Sequence, residues 1–347
     1  MSREIAIIGD HFMLPEVFER EVRAACSHVD VECRLSQNDW PNSPVIHGYH
    51  GAKDIGIKEY LGDFDAVTEF IGTAEVLVMH QSPVTDSMLA RLPNLRLIAC
   101  SRGGPVNVNI DAAHARGVTV VRAPGRNATA VAEFTLGAIL TETRKIRAGH
   151  EALRAGDWRG DLYRADTTGR ELNEMTVGVV GYGKIGTRVT KLLRAFGTKV
   201  LVCDPYVQLS PEDNEAGVTH VSLDQLLEQS DVVTLHPRVS AETTHMINAE
   251  TLRRMKSDAL LVNTARGPLC DYDDLYQALR DGVIGSAMLE TFSVEPVPAD
   301  WPLLQLDNVT LTPHIAGASV RTATFAAEQL AQEVRRYFAN EPFLNQC

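Results

Sequence analysis

Val177-Gly178-Val179-Val180-Gly181-Tyr182-Gly183-Lys184-Ile185-Gly186 is a short, β-branched apolar run followed by three glycines in the G-x-G-x-x-G spacing. Ile185, Val189, Leu192, Leu193 and Phe196 continue at helical spacing as far as Gly197. A second apolar run, Lys199-Val200-Leu201-Val202-Cys203, stops at Asp204. Strand, glycine turn, helix and strand in this order describe a dinucleotide-binding unit. Gly181 permits the tight turn, Gly183 lets backbone approach a pyrophosphate, and Gly186 lets the helix pack close to the sheet. Lys184 and Ile185, with Tyr182 between the glycines, open the helix whose N-terminus holds the phosphate charge. An acid about 20 residues beyond the glycines is placed to accept the ribose hydroxyls, so Asp204 argues for NAD over NADP. Asp204-Pro205 is also a turn signal, and that simpler reading stands beside it.

The chain has 347 residues, 44% hydrophobic and 22% charged, which suits a globular protein of two domains. A formal net charge of -12 disfavours nucleic acid or anionic membrane as a partner. Six cysteines without a C-x-x-C pair suggest neither a metal site nor a disulfide framework. Without a long apolar segment or a signal-peptide pattern, a cytoplasmic enzyme is expected.

Strands and helices alternate twice. The first block has strands near Ile5–Ile8, Val76–Met79, Leu97–Ala99 and Val118–Val121, with helices over Pro15–Ala25 and Ser87–Arg91. Residues 37–65, rich in Gly, Pro, Asn and Asp, read as loops. One connecting helix is expected over Ala128–Arg147, then the glycine motif and strands at Val232–Leu235, Leu260–Asn263, Ser286–Leu289 and Val309–Leu311. An amphipathic helix over Val320–Tyr337 is expected to return to the first domain. The fold class is therefore α/β with two doubly wound parallel sheets. A Rossmann-type cofactor domain spans 123–319, and a flavodoxin-like substrate domain is split between 1–122 and 320–347.

Three chemically apt residues follow strands of the second block: Arg266 in Asn263-Thr264-Ala265-Arg266-Gly267, Glu295 in Ser293-Val294-Glu295-Pro296, and His314 in Thr312-Pro313-His314-Ile315. Open α/β sheets bind ligands at the carboxyl ends of their strands. Histidine suits proton exchange with a substrate oxygen, and arginine presents a planar fork to a carboxylate. Each also has a plain structural reading, as a surface ion pair, a solvated loop or a turn cap.

These segments resemble the D-isomer-specific 2-hydroxyacid dehydrogenase family, which includes phosphoglycerate and glycerate dehydrogenases. The likeness runs from Ser101-Arg102-Gly103-Gly104-Pro105 through Ala123-Pro124-Gly125-Arg126-Asn127 and the glycine motif to Thr312-Pro313-His314-Ile315-Ala316-Gly317. It implies a homodimer that moves hydride between NAD and C2 of a small 2-hydroxy or 2-keto acid, with the active site in a cleft between the domains. It further implies His314 as acid/base, Glu295 as its support, and Arg266 as the carboxylate and carbonyl ligand. His236, Pro237, Thr264, Ala265, Glu290 and Gly317 are expected on the cofactor. His80, Arg102, Gly103, Gly104 and Arg266 are expected on the substrate, and no metal is expected.

Departures are informative. Leu289-Glu290-Thr291-Phe292 replaces the family's Leu-Asp-Val-Phe, and His236-Pro237-Arg238-Val239 replaces His-x-Pro-Leu. Arg238 either contacts cofactor phosphate or lies at the surface. Met79 stands where phosphoglycerate dehydrogenases commonly carry arginine, and the polar His80, Gln81 and Arg102 lean toward a hydroxylated or sugar-derived acid. Formate- or phosphite-type oxidation and an NAD(H)-sensing corepressor on the same fold are the alternatives. The formate enzymes pair histidine with glutamine where this chain has Glu295.

Overall fold

The structure, a computed structural model, describes residues 2–40 and 56–347. The chain divides into two units, Met1–Asn127 with Ala318–Cys347, and Ala128–Gly317. The sequence placed the divisions at 122/123 and 319/320.

In the first unit, β1 (Arg3–Gly9), β2 (Val31–Gln37), β3 (Val76–Met79), β4 (Leu97–Cys100) and β5 (Thr119–Arg122) form a parallel sheet of order β2-β1-β3-β4-β5. This is a doubly wound order whose direction reverses between β1 and β3, the place where ligands gather in such sheets. Apolar layers cover both faces. Ile5, Ile7, Val76, Val78, Leu97 and Ala99 meet Phe18 and Val22 of helix Pro15–Ala25 and Ala326, Leu330 and Val334 of helix Val320–Phe338. On the other face Ala6, Ile8, Leu77 and Ile98 meet Val67, Ile71, Met88 and Leu89. Helix Val320–Phe338 is thus part of the core of a sheet laid down at the start of the chain.

In the second unit, β6 (Thr176–Val180), β7 (Lys199–Cys203), β8 (Thr219–His220), β9 (Val232–Leu235), β10 (Leu260–Asn263), β11 (Ser286–Leu289) and β12 (Val309–Leu311) form a parallel sheet of order β12-β11-β10-β9-β6-β7-β8. Its central strands are buried on both faces and so read as continuous apolar runs. The reversal of direction falls between β6 and β9, the strands that lead into the glycine turn and into His236.

Three readings needed correction. The expected helix over Ala128–Arg147 is two helices, Ala128–Thr143 and Ile146–Arg154, broken at Lys145 in the left-handed region (φ 57°). Gly169 packs there: a Cβ on it would lie 2.0 Å from the Thr143 carbonyl oxygen. The loop expected over 37–65 begins with Gln37 still in β2 and ends inside helix Phe64–Ile71, while residues 41–55 lie outside those described. Strand β2 itself was not foreseen, because this edge strand buries no residue fully. Among the described residues, no helix is long and apolar enough to cross a membrane and no group of His, Cys, Asp and Glu could hold a metal ion.

Candidate active site

The glycine turn is shaped by close backbone contacts. Gly181 has φ 87°, and a Cβ there would lie 2.6 Å from Pro237 N and 2.8 Å from His236 C, so the exits of β6 and β9 touch where the strand order reverses. A Cβ on Gly186 would lie 2.1 Å from the Gly181 carbonyl oxygen, which requires glycine where helix Lys184–Ala195 passes the turn. Among the described residues, by contrast, nothing lies within 4 Å of the Gly183 Cβ position, and the helix it precedes has no side-chain cap.

Asp204 ends β7 and holds this turn: Oδ2 accepts from Tyr182 N at 2.7 Å and Oδ1 from Tyr206 N at 2.9 Å. Each carboxylate oxygen keeps a further lone pair for a ribose hydroxyl. Tyr182 is buried, whereas Arg238 is exposed. His236 shares a hydrogen bond between Nε2 and Thr234 Oγ1 (3.0 Å), but its buried Nδ1 has no partner among the described residues, and burial pushes the imidazole down to about 3. An open glycine, an uncapped helix start and an unpartnered imidazole nitrogen at the strand-order reversal fit a dinucleotide.

The three catalytic candidates follow β10, β11 and β12, which are adjacent in the sheet. His314 sits in the left-handed region (φ 51°), a conformation that costs a non-glycine residue about 1 kcal/mol and needs support. Glu290 provides it twice: its backbone carbonyl accepts from His314 N at 3.0 Å, and its Oε1 accepts from Ala316 N at 2.7 Å. The ring is oriented from one side by Glu295, whose Oε2 lies 2.8 Å from His314 Nδ1. Oε1 of the same carboxylate accepts from Phe292 N at 2.7 Å, so Glu295 is itself fixed by backbone and buried. With Nδ1–H turned to Glu295, Nε2 is the nitrogen able to exchange a proton.

Arg266 leaves β10 on a braced loop. Asn263 donates through Nδ2 to the Arg266 carbonyl at 3.0 Å and accepts at Oδ1 from Ala265 N at 3.1 Å. Thr264 Oγ1 shares a hydrogen bond with Thr135 Oγ1 at 2.8 Å. Gly267 follows because a Cβ there would lie 2.0 Å from the Phe292 carbonyl carbon; the Arg266 loop and the loop leading to Glu295 are in backbone contact. Tyr272 locks the second loop by donating its hydroxyl to the Thr291 carbonyl. Glu290 is buried, and its carboxyl is pushed up to about 8, chiefly by burial and further by Glu295, against the Ala316 N–H and Arg266. The sequence pointed to Glu290 as a cofactor contact, but its bracing of the His314 turn was not foreseen.

Apart from Arg266, the substrate candidates lie in the first unit. Gly103 and Gly104 are exposed, and neither N–H has a partner among the described residues. Arg102 is in an ion pair with Glu59 and donates from Nη1 to the Glu59 carbonyl at 3.2 Å. His80 is buried, with both ring nitrogens engaged by Asp10 and Arg126.

A glycine-turned nucleotide fold carrying a carboxylate-backed histidine and an arginine at neighbouring strand exits defines a nicotinamide-dependent dehydrogenase. The chain belongs to the D-isomer specific 2-hydroxyacid dehydrogenases: residues 136–316 match that family's NAD binding domain. It is 40% identical over 259 residues to a glyoxylate reductase of Thermofilum pendens, covering 75% of this chain and 76% of that protein. A D-3-phosphoglycerate dehydrogenase of Methanocaldococcus jannaschii is 35% identical over 295 residues, 81% of this chain and 55% of that one. Among solved structures, a protein of Thermus thermophilus superposes with a TM-score of 0.78 at 28% identity, over 98% of this chain and 99% of that one. The protein is an NAD-dependent oxidoreductase acting on the CH–OH group of a 2-hydroxy acid.

Proposed function

We propose that this enzyme interconverts a small D-2-hydroxy acid, hydroxylated or sugar-derived in its tail, and the matching 2-keto acid. The observation that carries the chemistry is the 2.8 Å contact of Glu295 with His314 Nδ1 on a turn that holds the imidazole in one pose. The bound cofactor supplies the hydride donor or acceptor at nicotinamide C4. In the reducing direction His314 Nε2 gives its proton to the C2 oxygen as hydride reaches C2; in the oxidising direction it takes the hydroxyl proton. Glu295 keeps Nδ1–H donated throughout and stabilises the imidazolium form. Arg266 holds the substrate carboxylate and polarises the carbonyl, and the free N–H groups of Gly103 and Gly104 receive carboxylate oxygen. Gly181, Tyr182, Gly183, Lys184, Ile185 and Gly186 cradle the pyrophosphate. Asp204 would hold the ribose, and His236, Pro237, Thr264, Ala265, Glu290 and Gly317 would complete the cofactor site.

The test is NADH oxidation with a panel of 2-keto acids from glyoxylate and hydroxypyruvate to longer sugar-derived acids. Turnover of at least one member supports the reading, and none across the panel with NADH still bound would reject it. Asp204→Ala is expected to narrow the preference for NADH over NADPH by roughly 10-fold or more, since it removes both the ribose acceptor and the charge that repels a 2′-phosphate. Parallel titrations with the two cofactors check this, and an unchanged ratio would remove Asp204 from the ribose site.

We further propose a cytoplasmic homodimer. All six cysteines are unpaired, as in a reducing compartment. Ile146, Leu153, Trp158 and Tyr163 are exposed on one segment of the second unit, Trp158 at 83% and Tyr163 at 95%. Light scattering should give a dimer for the native chain and a monomer for the Trp158→Glu/Tyr163→Ser double variant. A native monomer would refute the assignment.

A further inference from the structure

The first unit carries a polar chain built from three distant parts of the sequence. Asp10 follows β1 and His80 follows β3, the two strands between which the sheet order reverses, and Arg126 lies on the loop that follows β5. Asp10 is fully buried; Oδ1 accepts from Phe12 N (3.0 Å) and Met13 N (2.8 Å), and Oδ2 lies 2.6 Å from His80 Nδ1. His80 Nε2 lies 3.1 Å from Arg126 Nη2. The arginine can only donate, so Nε2 must be the acceptor and Nδ1 must carry the hydrogen given to Asp10. Tautomer and orientation are thereby set. Burial, opposed by the bond to Asp10, keeps the imidazole down at about 4 and therefore neutral.

Arg126 ends this chain with an unusual set of partners: a neutral imidazole, the Met13 sulfur at 3.6 Å from Nη1, and the Phe12 ring 5.7 Å from its guanidinium carbon. Among the described residues it has no carboxylate within ion-pairing distance. Burial and the nearby Arg102 lower it to about 10, so it remains a cation. A part-buried guanidinium with a soft and a neutral acceptor has donors left over, and such donors point to a ligand oxygen. The loop carrying Arg126 is bonded to the glycine loop: Ala123 N donates to the Arg102 carbonyl at 2.9 Å, and Arg122 Nη1 to the Gly103 carbonyl at 3.3 Å. The cluster therefore stands beside Gly103 and Gly104, at the carboxyl ends of the strands.

We propose that Arg126, positioned by His80 and Asp10, is a specificity residue that binds a hydroxyl oxygen of the substrate beyond C2. The charges favour a neutral oxygen. Asp10 offsets Arg126 and Glu59 offsets Arg102, so a hydroxyl leaves the cluster balanced, whereas a phosphate adds uncompensated negative charge. This inference rests on the reading of the enzyme as a 2-keto acid reductase and names the tail it selects.

The test compares kcat/KM for hydroxypyruvate with that for pyruvate, which lacks only the hydroxyl, in the native enzyme, Arg126→Met and Arg126→Lys. Methionine keeps an unbranched apolar chain beside Phe12 and Met13 but has neither charge nor donor; lysine keeps the charge but not the fork. A charge-assisted hydrogen bond predicts that the hydroxypyruvate-to-pyruvate ratio falls roughly 10- to 100-fold in Arg126→Met and less in Arg126→Lys. Thermal melting verifies folding, and should the methionine variant not fold, the lysine variant carries the comparison. An unchanged ratio, with both substrates affected alike, overturns the inference and leaves the enzyme assignment intact. A native preference for 3-phosphohydroxypyruvate that is lost on substitution overturns the hydroxyl assignment. No turnover of any 2-keto acid by the native enzyme overturns the underlying reading and the inference with it.

Discussion

His314→Ala is expected to lower kcat by roughly 10²- to 10⁴-fold, the range a positioned acid/base contributes. NADH affinity should stay near the native value, because the glycine turn and Asp204 have contacts of their own. Glu295→Gln should cost less. An amide oxygen can still accept from His314 Nδ1 or Phe292 N, but the charge that stabilises the imidazolium is gone. Single-turnover absorbance with prebound NADH separates the chemical step from cofactor binding. Native turnover in His314→Ala would discard the histidine as acid/base, whatever the outcome for Glu295.

Glu290 should make stability depend on pH in the direction opposite to the usual surface carboxylate. Its folded-state value is raised, chiefly by burial, from 4.5 to about 8. Below about pH 4.5 the carboxyl is protonated in both folded and unfolded chains, and the contribution is fully present. As pH rises toward 8, the unfolded chain releases this proton and the folded chain keeps it. Stability then falls by up to about 1.4 kcal/mol per pH unit and levels off once the folded state also ionises. Glu290→Gln keeps an acceptor for Ala316 N and cannot titrate. The native chain should therefore lose denaturant resistance relative to the variant between about pH 5 and pH 8, and chemical denaturation at unit pH steps measures the difference. A difference independent of pH would mean that Glu290 ionises freely in the folded protein.

Much of this fold could be read from local pattern because its information is local. The glycine motif combines a short apolar run, a tight turn and a helical period within a few residues, and the buried central strands are uninterrupted apolar runs. Arg266, Glu295 and His314 were legible as chemically apt residues after predicted strands. What escaped depends on distance or on edges. Strand β2 is half exposed and shows no clear buried face, and the break at Lys145 lies where Gly169, distant in sequence, packs on the Thr143 carbonyl. The alliance of Asp10, His80 and Arg126 is spread over three strand exits. Its members have no pattern until the sheet order brings them together. Glu290 was seen as a variation on a motif, but only the bond to Ala316 N reveals its mechanical part.

The split of the first unit also has a consequence for how the chain is made. Residues 128–317 form a contiguous unit, whereas the sheet of residues 1–127 lacks one covering helix until Val320–Phe338 has been synthesised. The core of the first unit therefore cannot be completed until after the second unit has been synthesised, unlike an uninterrupted N-terminal domain. The intervening residues take roughly 10 to 40 s to add at ordinary synthesis rates. For that interval the face of Ile5, Ile7, Val76 and Val78 has Phe18 and Val22 over it but lacks Ala326, Leu330 and Val334, and exposed apolar surface of this kind favours aggregation of an incomplete chain.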